Sequence, residues 1–307
     1  MNICVVGAGA IGGWVAARLA LAGQQVMALT SRGPLDVIRV DEGSVEDTAE
    51  LARFDGHADL LIVAVKATAL SSAAQSAKAL IGPDTIIVPM LNGVPWWFVD
   101  GMQLKSVDPN GSIAAALPFE QIIGCVVHAA CSRSGDTVMV KLADKLIIGE
   151  PVGGDTSERL ARLFAVLDEA GLKPDITSNI RRSIWYKLWG NATTNPMSAL
   201  VRATTDKIHG DPVCRAWTLE GMAELALIGA AVGCPITESG EDRIKVALKL
   251  GAFKTSMLQD VEAGRPIELQ ALLGAPLEIA RAHAIPTPAL DRLYGVTKLM
   301  AESLGLG

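Results

Sequence analysis

An α/β domain followed by an all-α domain is the fold class that this sequence predicts. Three observations carry the prediction. Short β-branched runs alternate with alanine-rich helical stretches over the first half, as the strands and covering helices of a parallel sheet do. A glycine-rich turn directly follows the first of those runs. From Asn179 onward nearly every segment is helical by pattern.

Taken in order, strands are predicted at Ile3 to Val6, Gln25 to Leu29, Leu60 to Val65 and Thr85 to Met90, with helices from Ala10 to about Ala22 and from Thr68 to about Leu80 between them. Beyond Gly93 the pattern changes. Ile122 to Ala130, Thr137 to Val140 and Lys145 to Ile148 read as further strands around the turn Ser134-Gly135-Asp136, extending the same sheet with an antiparallel edge. Pro151 to Asp155 marks a loop, followed by a helix from about Ser157 to Ala170 and a short strand at Lys173 to Ile176. The helical half breaks near Gly210-Asp211-Pro212, Gly233-Cys234-Pro235, Gly264-Arg265-Pro266 and Ile285-Pro286. A single boundary is expected near Thr177, giving domains 1–177 and 178–307 with the active site in the cleft between them.

A chain of 307 residues, 50% hydrophobic and 20% charged, can bury two cores without disulfides or metal. Its net charge of −6 argues against a nucleic-acid or anionic-membrane partner, because neither surface attracts an acidic protein. The five cysteines include no CxxC pair and no histidine at ligand spacing, so no metal site is expected, and they read as small apolar residues in a reducing cytoplasm. The first apolar run begins at Asn2 without basic residues before it and enters a glycine turn after four residues, so neither a signal peptide nor a membrane span is expected there. Six tryptophans, most of them outside the motifs, leave room for a homodimer through the helical domain.

Gly7-Ala8-Gly9-Ala10-Ile11-Gly12 is GxGxxG between a buried strand and a helix, the context in which it marks a Rossmann-type dinucleotide-binding domain. Gly7 permits the turn, Gly9 lets a pyrophosphate approach the backbone, and Gly12 lets the helix pack on the strand. The helix N-terminus offers free N–H groups and a favourable dipole. A carboxylate at the end of the second strand would select NAD; here that strand runs into Thr30-Ser31-Arg32 with no acid. Ser31 and Arg32 can donate to a 2′-phosphate, so NADP(H) is the expected cofactor. Lys66 and Asn92 each follow a parallel strand, where ligands of such sheets bind, though each also reads as an ordinary strand-end polar residue.

In the helical half, Lys187, Asn191 and Asn195 stand at i, i+4 and i+8, so an ammonium and two amides share one stripe of an otherwise apolar helix. Polar groups in such a place need partners, which points to a ligand or a preorganised network. A second cluster runs from Lys254 to Leu269, with Ser256 on one helix and Glu268 at the start of the next. Taken alone, Glu268 just after Pro266 is an ordinary first-turn helix acid.

Together these segments resemble the ketopantoate reductase (2-dehydropantoate 2-reductase) family over nearly the whole chain. The carriers are GAGAIGG at Gly7 to Gly13, VAVKA at Val63 to Ala67, LNGV at Leu91 to Val94, KLWGNATTNP at Lys187 to Pro196, SMLQDVEAGRPIE at Ser256 to Glu268 and RAHAIPTP at Arg281 to Pro288. The resemblance implies NADPH-dependent reduction of a small 2-oxo acid to its 2-hydroxy acid, with 2-dehydropantoate to pantoate as first candidate. It makes Lys187 the catalytic lysine that polarises the carbonyl and protonates the alkoxide, and Glu268 its acidic partner. It places Asn191 and Asn195 beside the lysine, Ser256 at the substrate carboxylate, and Asn92 and Lys66 near the nicotinamide ribose.

Three positions depart from the family pattern. Phe253 and Thr205 stand where asparagines are common, and Gln270 where an aspartate is. Losing donors that read the substrate's tail weakens rejection of apolar analogues, so the particular 2-oxo acid stays open. The stretch between Arg32 and Asp59 also looks short for the family. Two rivals remain. Hydroxyisobutyrate-type 3-hydroxy acid dehydrogenases share the plan but open the lysine helix with paired glycines, absent before Lys187. A non-catalytic NADPH sensor would be expected to have lost the lysine or the glutamate, and both are present.

Overall fold

Ile3, Cys4, Val5 and Val6 are buried in a strand covered on both faces, as a continuous apolar run in a parallel sheet requires. The structure, a computed structural model, describes residues 1–43, 45–249 and 251–307. The chain divides into two units, Met1–Leu91 with Gly111–Ser183 and Asn92–Asn110 with Ile184–Gly307.

The first unit opens with β1 (Asn2–Val6), α1 (Ala10–Leu21), β2 (Gln25–Thr30), β3 (Gly33–Pro34), β4 (Val37–Asp41), β5 (Glu46–Glu50), β6 (Ala58–Val63), α2 (Leu70–Ala77) and β7 (Ile81–Pro89). One sheet has the order β3-β2-β1-β6-β7, parallel except for the short β3. The chain winds outward from β1 to β2 on one side and returns to β6 on the other, so a switch point lies beside the C-terminal end of β1, where open α/β sheets bind ligands. Trp14, Val15, Ala17 and Leu19 of α1 join its core.

The unit continues with α3 (Ser112–Ala116), β8 (Gly124–Ser134), β9 (Thr137–Gly149), α4 (Glu158–Glu169) and β10 (Pro174–Ile176). These strands do not extend the first sheet as the sequence suggests. They form a second one, β10-β9-β4-β5 with β8 against β9, in which the expected strands at 137–140 and 145–148 are one thirteen-residue strand. The sheet is completed by β4 and β5, neither among the expected strands, although β4 alternates with Ile38 and Val40 buried. Glu46-Asp47-Thr48-Ala49-Glu50 buries only Ala49, so it lacks the apolar alternation by which a strand is read.

The second unit is helical. It contains most of α5 (Ile180–Val201), then α6 (Thr205–Gly210), α7 (Pro212–Ala231), α8 (Gly240–Leu248), α9 (Ser256–Glu262), α10 (Ala275–Ala282) and α11 (Pro288–Ser303). Trp185 and Trp189 of α5 are buried and donate their indole N–H groups to the carbonyls of Leu225 and Met222 on α7 at 3.1 and 2.8 Å. Five of the six tryptophans are core side chains and Trp217 is half-buried, so they do not form an exposed aromatic surface.

Residues 92–110 belong to this unit because its groups bind them. Phe98 stacks on Trp185 with ring centroids 5.6 Å apart, and the Glu278 carboxylate accepts the backbone N–H groups of Lys105 and Ser106, each at 2.8 Å. Ahead of α10 the helix widens into a π turn at Gln270–Gly274. Pro276 has no N–H to give the preceding turn, and the Ala271 carbonyl accepts instead from Val94 N at 2.8 Å. Among the described residues, no helix is long and apolar enough to cross a membrane.

Candidate active site

In the α/β unit the glycine turn is shaped by what cannot fit there. Gly7 has φ +91°, and a Cβ on it would lie 2.5 Å from Val65 Cγ1. A Cβ on Gly12 would lie 2.9 Å from that of Ala64 and closer still to the Gly7 carbonyl. Gly9 is the opposite case, since a Cβ there would meet nothing nearer than the Gly7 oxygen at 4.0 Å, so its face is open to a ligand. Gly9 also N-caps α1 without a side-chain acceptor. The first-turn N–H groups of Ala10, Ile11 and Gly12, which no helical carbonyl can reach, are left for an anion. Gly7 N and Ala8 N donate to the Leu29 carbonyl, at 2.9 and 3.1 Å, tying the turn to the end of β2.

Ser31 and Arg32 occupy the two-residue turn between β2 and β3 and are exposed. Thr30 holds that turn, accepting from Arg32 N at 3.1 Å and donating to the Gly33 carbonyl at 2.9 Å. Lys66 follows β6, three residues past its end, and is half-buried. The turn therefore combines an open glycine face, first-turn N–H donors and an exposed guanidinium, with no carboxylate among Thr30, Ser31 and Arg32. This donor set fits the phosphates of a dinucleotide.

In the helical unit Lys187 sits half-buried on α5 and donates from Nζ to Asn92 Oδ1 at 3.0 Å. Asn92 Nδ2 in turn donates to Glu268 Oε2 at 3.5 Å, and Glu268 is only 7% exposed. One amide thus bridges an ammonium and a carboxylate brought from three distant segments. Asn92 and Glu268 are positioned by the same local packing, because Val94 binds the carbonyl of Ala271, three residues past the glutamate.

Asn191 and Asn195 continue the stripe along α5, and Asn195 is 7% exposed. Both line a cavity of about 160 Å³ within the unit. The departing residues Thr205 and Phe253 line it as well. They are joined through backbone, Thr205 N donating to the Phe253 carbonyl at 3.0 Å. Ser256, in contrast, is exposed at the first turn of α9, where Thr255 makes the N-cap by accepting from Leu258 N at 3.2 Å. Gln270 is exposed and donates to Tyr294 Oη at 3.1 Å.

Two lining residues escape the sequence reading. His209 comes from α6 and Arg243 from α8. The Arg243 guanidinium stacks over the Tyr186 ring, 5.6 Å from its centroid. Burial, with Arg215 and Arg243 nearby, pushes the His209 imidazole below its ordinary titration range. Neither residue has a neighbouring motif to mark it. Arg243 stands in Glu-Asp-Arg-Ile-Lys, which reads as a solvated helix face.

Comparison with known proteins covers both units. Residues 3–152 match the family model described as ketopantoate reductase PanE/ApbA, and residues 179–301 match its C-terminal counterpart. The chain is 36% identical to the 2-dehydropantoate 2-reductase of Mesorhizobium japonicum, across 99% of each sequence. Among solved structures, a candidate ketopantoate reductase from Ralstonia solanacearum MolK2 superposes with a TM-score of 0.93 at 44% identity, covering 100% of this chain and 99% of the other. The 2-dehydropantoate 2-reductase of Methylococcus capsulatus does so at 0.84 and 27% identity, with the same coverage. Two family models that between them span most of the chain, and a relative matched end to end, place it in the ketopantoate reductase family of oxidoreductases.

Proposed function

We propose that the protein is a cytoplasmic NADP(H)-dependent reductase of a small 2-oxo acid, with the α/β unit holding the dinucleotide and the helical unit the substrate. The observation that carries the reading is the hydrogen-bonded chain Lys187–Asn92–Glu268, with Asn191 and Asn195 continuing the lysine's stripe. Because the relatives carry its name, 2-dehydropantoate is the first compound to test.

The glycine turn and the N-terminus of α1 receive the pyrophosphate, Ser31 and Arg32 the 2′-phosphate, and Lys66 lies at the sheet end where the nicotinamide ribose is expected. When bound, the nicotinamide supplies the hydride. The rest of the chemistry belongs to this chain. Negative charge grows on the substrate's carbonyl oxygen during reduction, and the Lys187 ammonium stabilises it and delivers the proton that completes the hydroxyl. Asn92 fixes the lysine by accepting one of its protons, and Glu268 orients Asn92 from the other side of the amide. Such preorganisation means little reorientation is needed as charge develops. Asn191, Asn195 and Ser256 hold the substrate.

Turnover of a panel of 2-oxo acids, followed at the nicotinamide absorbance, tests the reading. NADPH should exceed NADH in kcat/KM by roughly 10- to 100-fold, a preference of about 1.4 to 2.8 kcal/mol that Arg32→Ala largely removes. Absence of turnover with every 2-oxo acid, while NADPH still binds, would sink it.

A further inference from the structure

The cavity beside Asn191 and Asn195 has a chemical character that the sequence motifs do not explain. His209 is 2% exposed, and both ring nitrogens are buried without a hydrogen-bond partner. Arg243 Nε is buried and unpartnered too. Leaving such groups unsatisfied is costly, so a buried group without a partner calls for a water, an ion or a bound molecule to satisfy it.

Arg243 is not neutralised locally. Among the described residues, no carboxylate lines the cavity. The two acids of α8 are engaged elsewhere, Glu241 with Arg215 and Asp242 with Ser239 and Lys245. Glu238, near the same edge, accepts from Tyr186 Oη at 2.7 Å. The guanidinium also has a place made for it. A Cβ on Gly190 of α5 would lie 2.9 Å from Arg243 Nη2, so that position must lack a side chain for Arg243 to lie where it does.

Asn191 and Asn195 line the cavity one and two turns along α5 from Lys187. A substrate whose carbonyl meets the lysine would therefore pass its tail along these amides. Met222 and Ile244 supply apolar walls for methylene groups. The volume of about 160 Å³ matches a group of roughly six non-hydrogen atoms, the size of benzene.

We infer that this cavity receives the tail of the 2-oxo acid and is built for a tail ending in a carboxylate, which Arg243 and His209 read. The inference rests on the reductase reading above and narrows it. A guanidinium with no anionic partner among the described residues favours a carboxylate over a hydroxyl, and both over a hydrocarbon. Phe253 brings no hydrogen-bond donor to the cavity and Thr205 only a hydroxyl, which leaves Arg243 and His209 as its charged and titratable lining.

The test compares kcat/KM for 2-oxoglutarate with that for 5-methyl-2-oxohexanoate, which replaces the distal carboxylate by an isopropyl group of similar shape, and with 2-dehydropantoate, whose tail ends in a hydroxyl. The acidic tail should be preferred over its hydrocarbon isostere by about 100-fold or more, as expected of a site that pairs a buried polar group. Arg243→Met should cut that ratio at least about 30-fold, and Arg243→Lys should retain part of it. Gly190→Ala, which moves the guanidinium without removing it, should lower the ratio in the same direction. Because both substrates are measured on one preparation, partial unfolding cannot imitate a change in their ratio. Fastest turnover of a hydrocarbon or hydroxyl tail, with a ratio that Arg243→Met leaves unmoved, overturns the inference alone. Failure to reduce any 2-oxo acid overturns the reductase reading and this inference with it.

Discussion

The α/β unit presents its candidate ligand surface as backbone, within six consecutive residues from Gly7 to Gly12, whereas the helical unit presents side chains gathered from Asn92, Lys187 and Glu268, up to 176 positions apart. The first surface is defined by what is missing, a Cβ at each of three places. The second is defined by what is present and by how distant segments are held together. Local sequence dictates a backbone surface almost completely, while a side-chain surface depends on packing such as Val94 on Ala271 and Phe98 on Trp185. The two should therefore fail in different ways when single residues are changed.

The largest expected effect is on chemistry without binding. Lys187→Ala removes the ammonium proposed to meet the developing charge and should lower kcat by about 1,000-fold, or roughly 4 kcal/mol. The dinucleotide Kd, proposed to be set in the other unit, should change less than about 3-fold, a shift of under ~0.7 kcal/mol. Titration of NADPH by its fluorescence alongside steady-state kinetics separates the two quantities. Normal turnover with lost cofactor affinity would contradict the assigned role.

The reverse pattern comes from Gly12→Ala. One added methyl would press on the Gly7 carbonyl within the turn and on the Ala64 Cβ just past β6. Overpacking of this kind costs about 1–3 kcal/mol. NADPH affinity should fall about 10- to 100-fold as the turn shifts, a loss of 1.4 to 2.8 kcal/mol. With saturating cofactor, kcat should recover to within a few-fold of the parent. A variant that binds NADPH normally would show that the turn can yield and that its geometry is not set by these contacts.

The same contrast explains what the sequence made legible. The first sheet was readable because β1, β2, β6 and β7 carry apolar runs, and the glycine turn because its signal is contiguous. The second sheet was readable in part: β8, β9 and β10 were expected as strands, but β5 buries one alanine among charges, polar residues break β9 into two apparent runs, and nothing local shows that these strands leave the first sheet. Lys187, Asn191 and Asn195 were visible through helical spacing. Asn92 was visible only as a strand-end residue, and its bridge to Glu268 could not be, because nothing local predicts that residues 92–110 pack with the helices. His209 and Arg243 were illegible for the same reason, being ordinary in their own helices and unusual only together.

The smallest expected effect concerns that buried histidine. Its depressed titration, caused first by burial and then by Arg215 and Arg243, means that the unfolded chain takes up this proton at a higher pH than the folded one. The folded state is therefore at full advantage above the ordinary value of 6.5 and loses it as pH falls, by at most about 1.4 kcal/mol for each pH unit. Five of the six tryptophans lie in the helical unit, so their fluorescence reports its unfolding in urea. Between pH 7 and pH 5 the parent should lose stability more steeply than His209→Gln, which cannot titrate, whatever the variant's absolute stability. Equal slopes would place the acid sensitivity on other groups. A steeper slope in the parent that flattens when 2-oxoglutarate is bound would connect this histidine to the carboxylate it is inferred to read, because a bound anion favours the protonated imidazole inside the cavity and so opposes the loss.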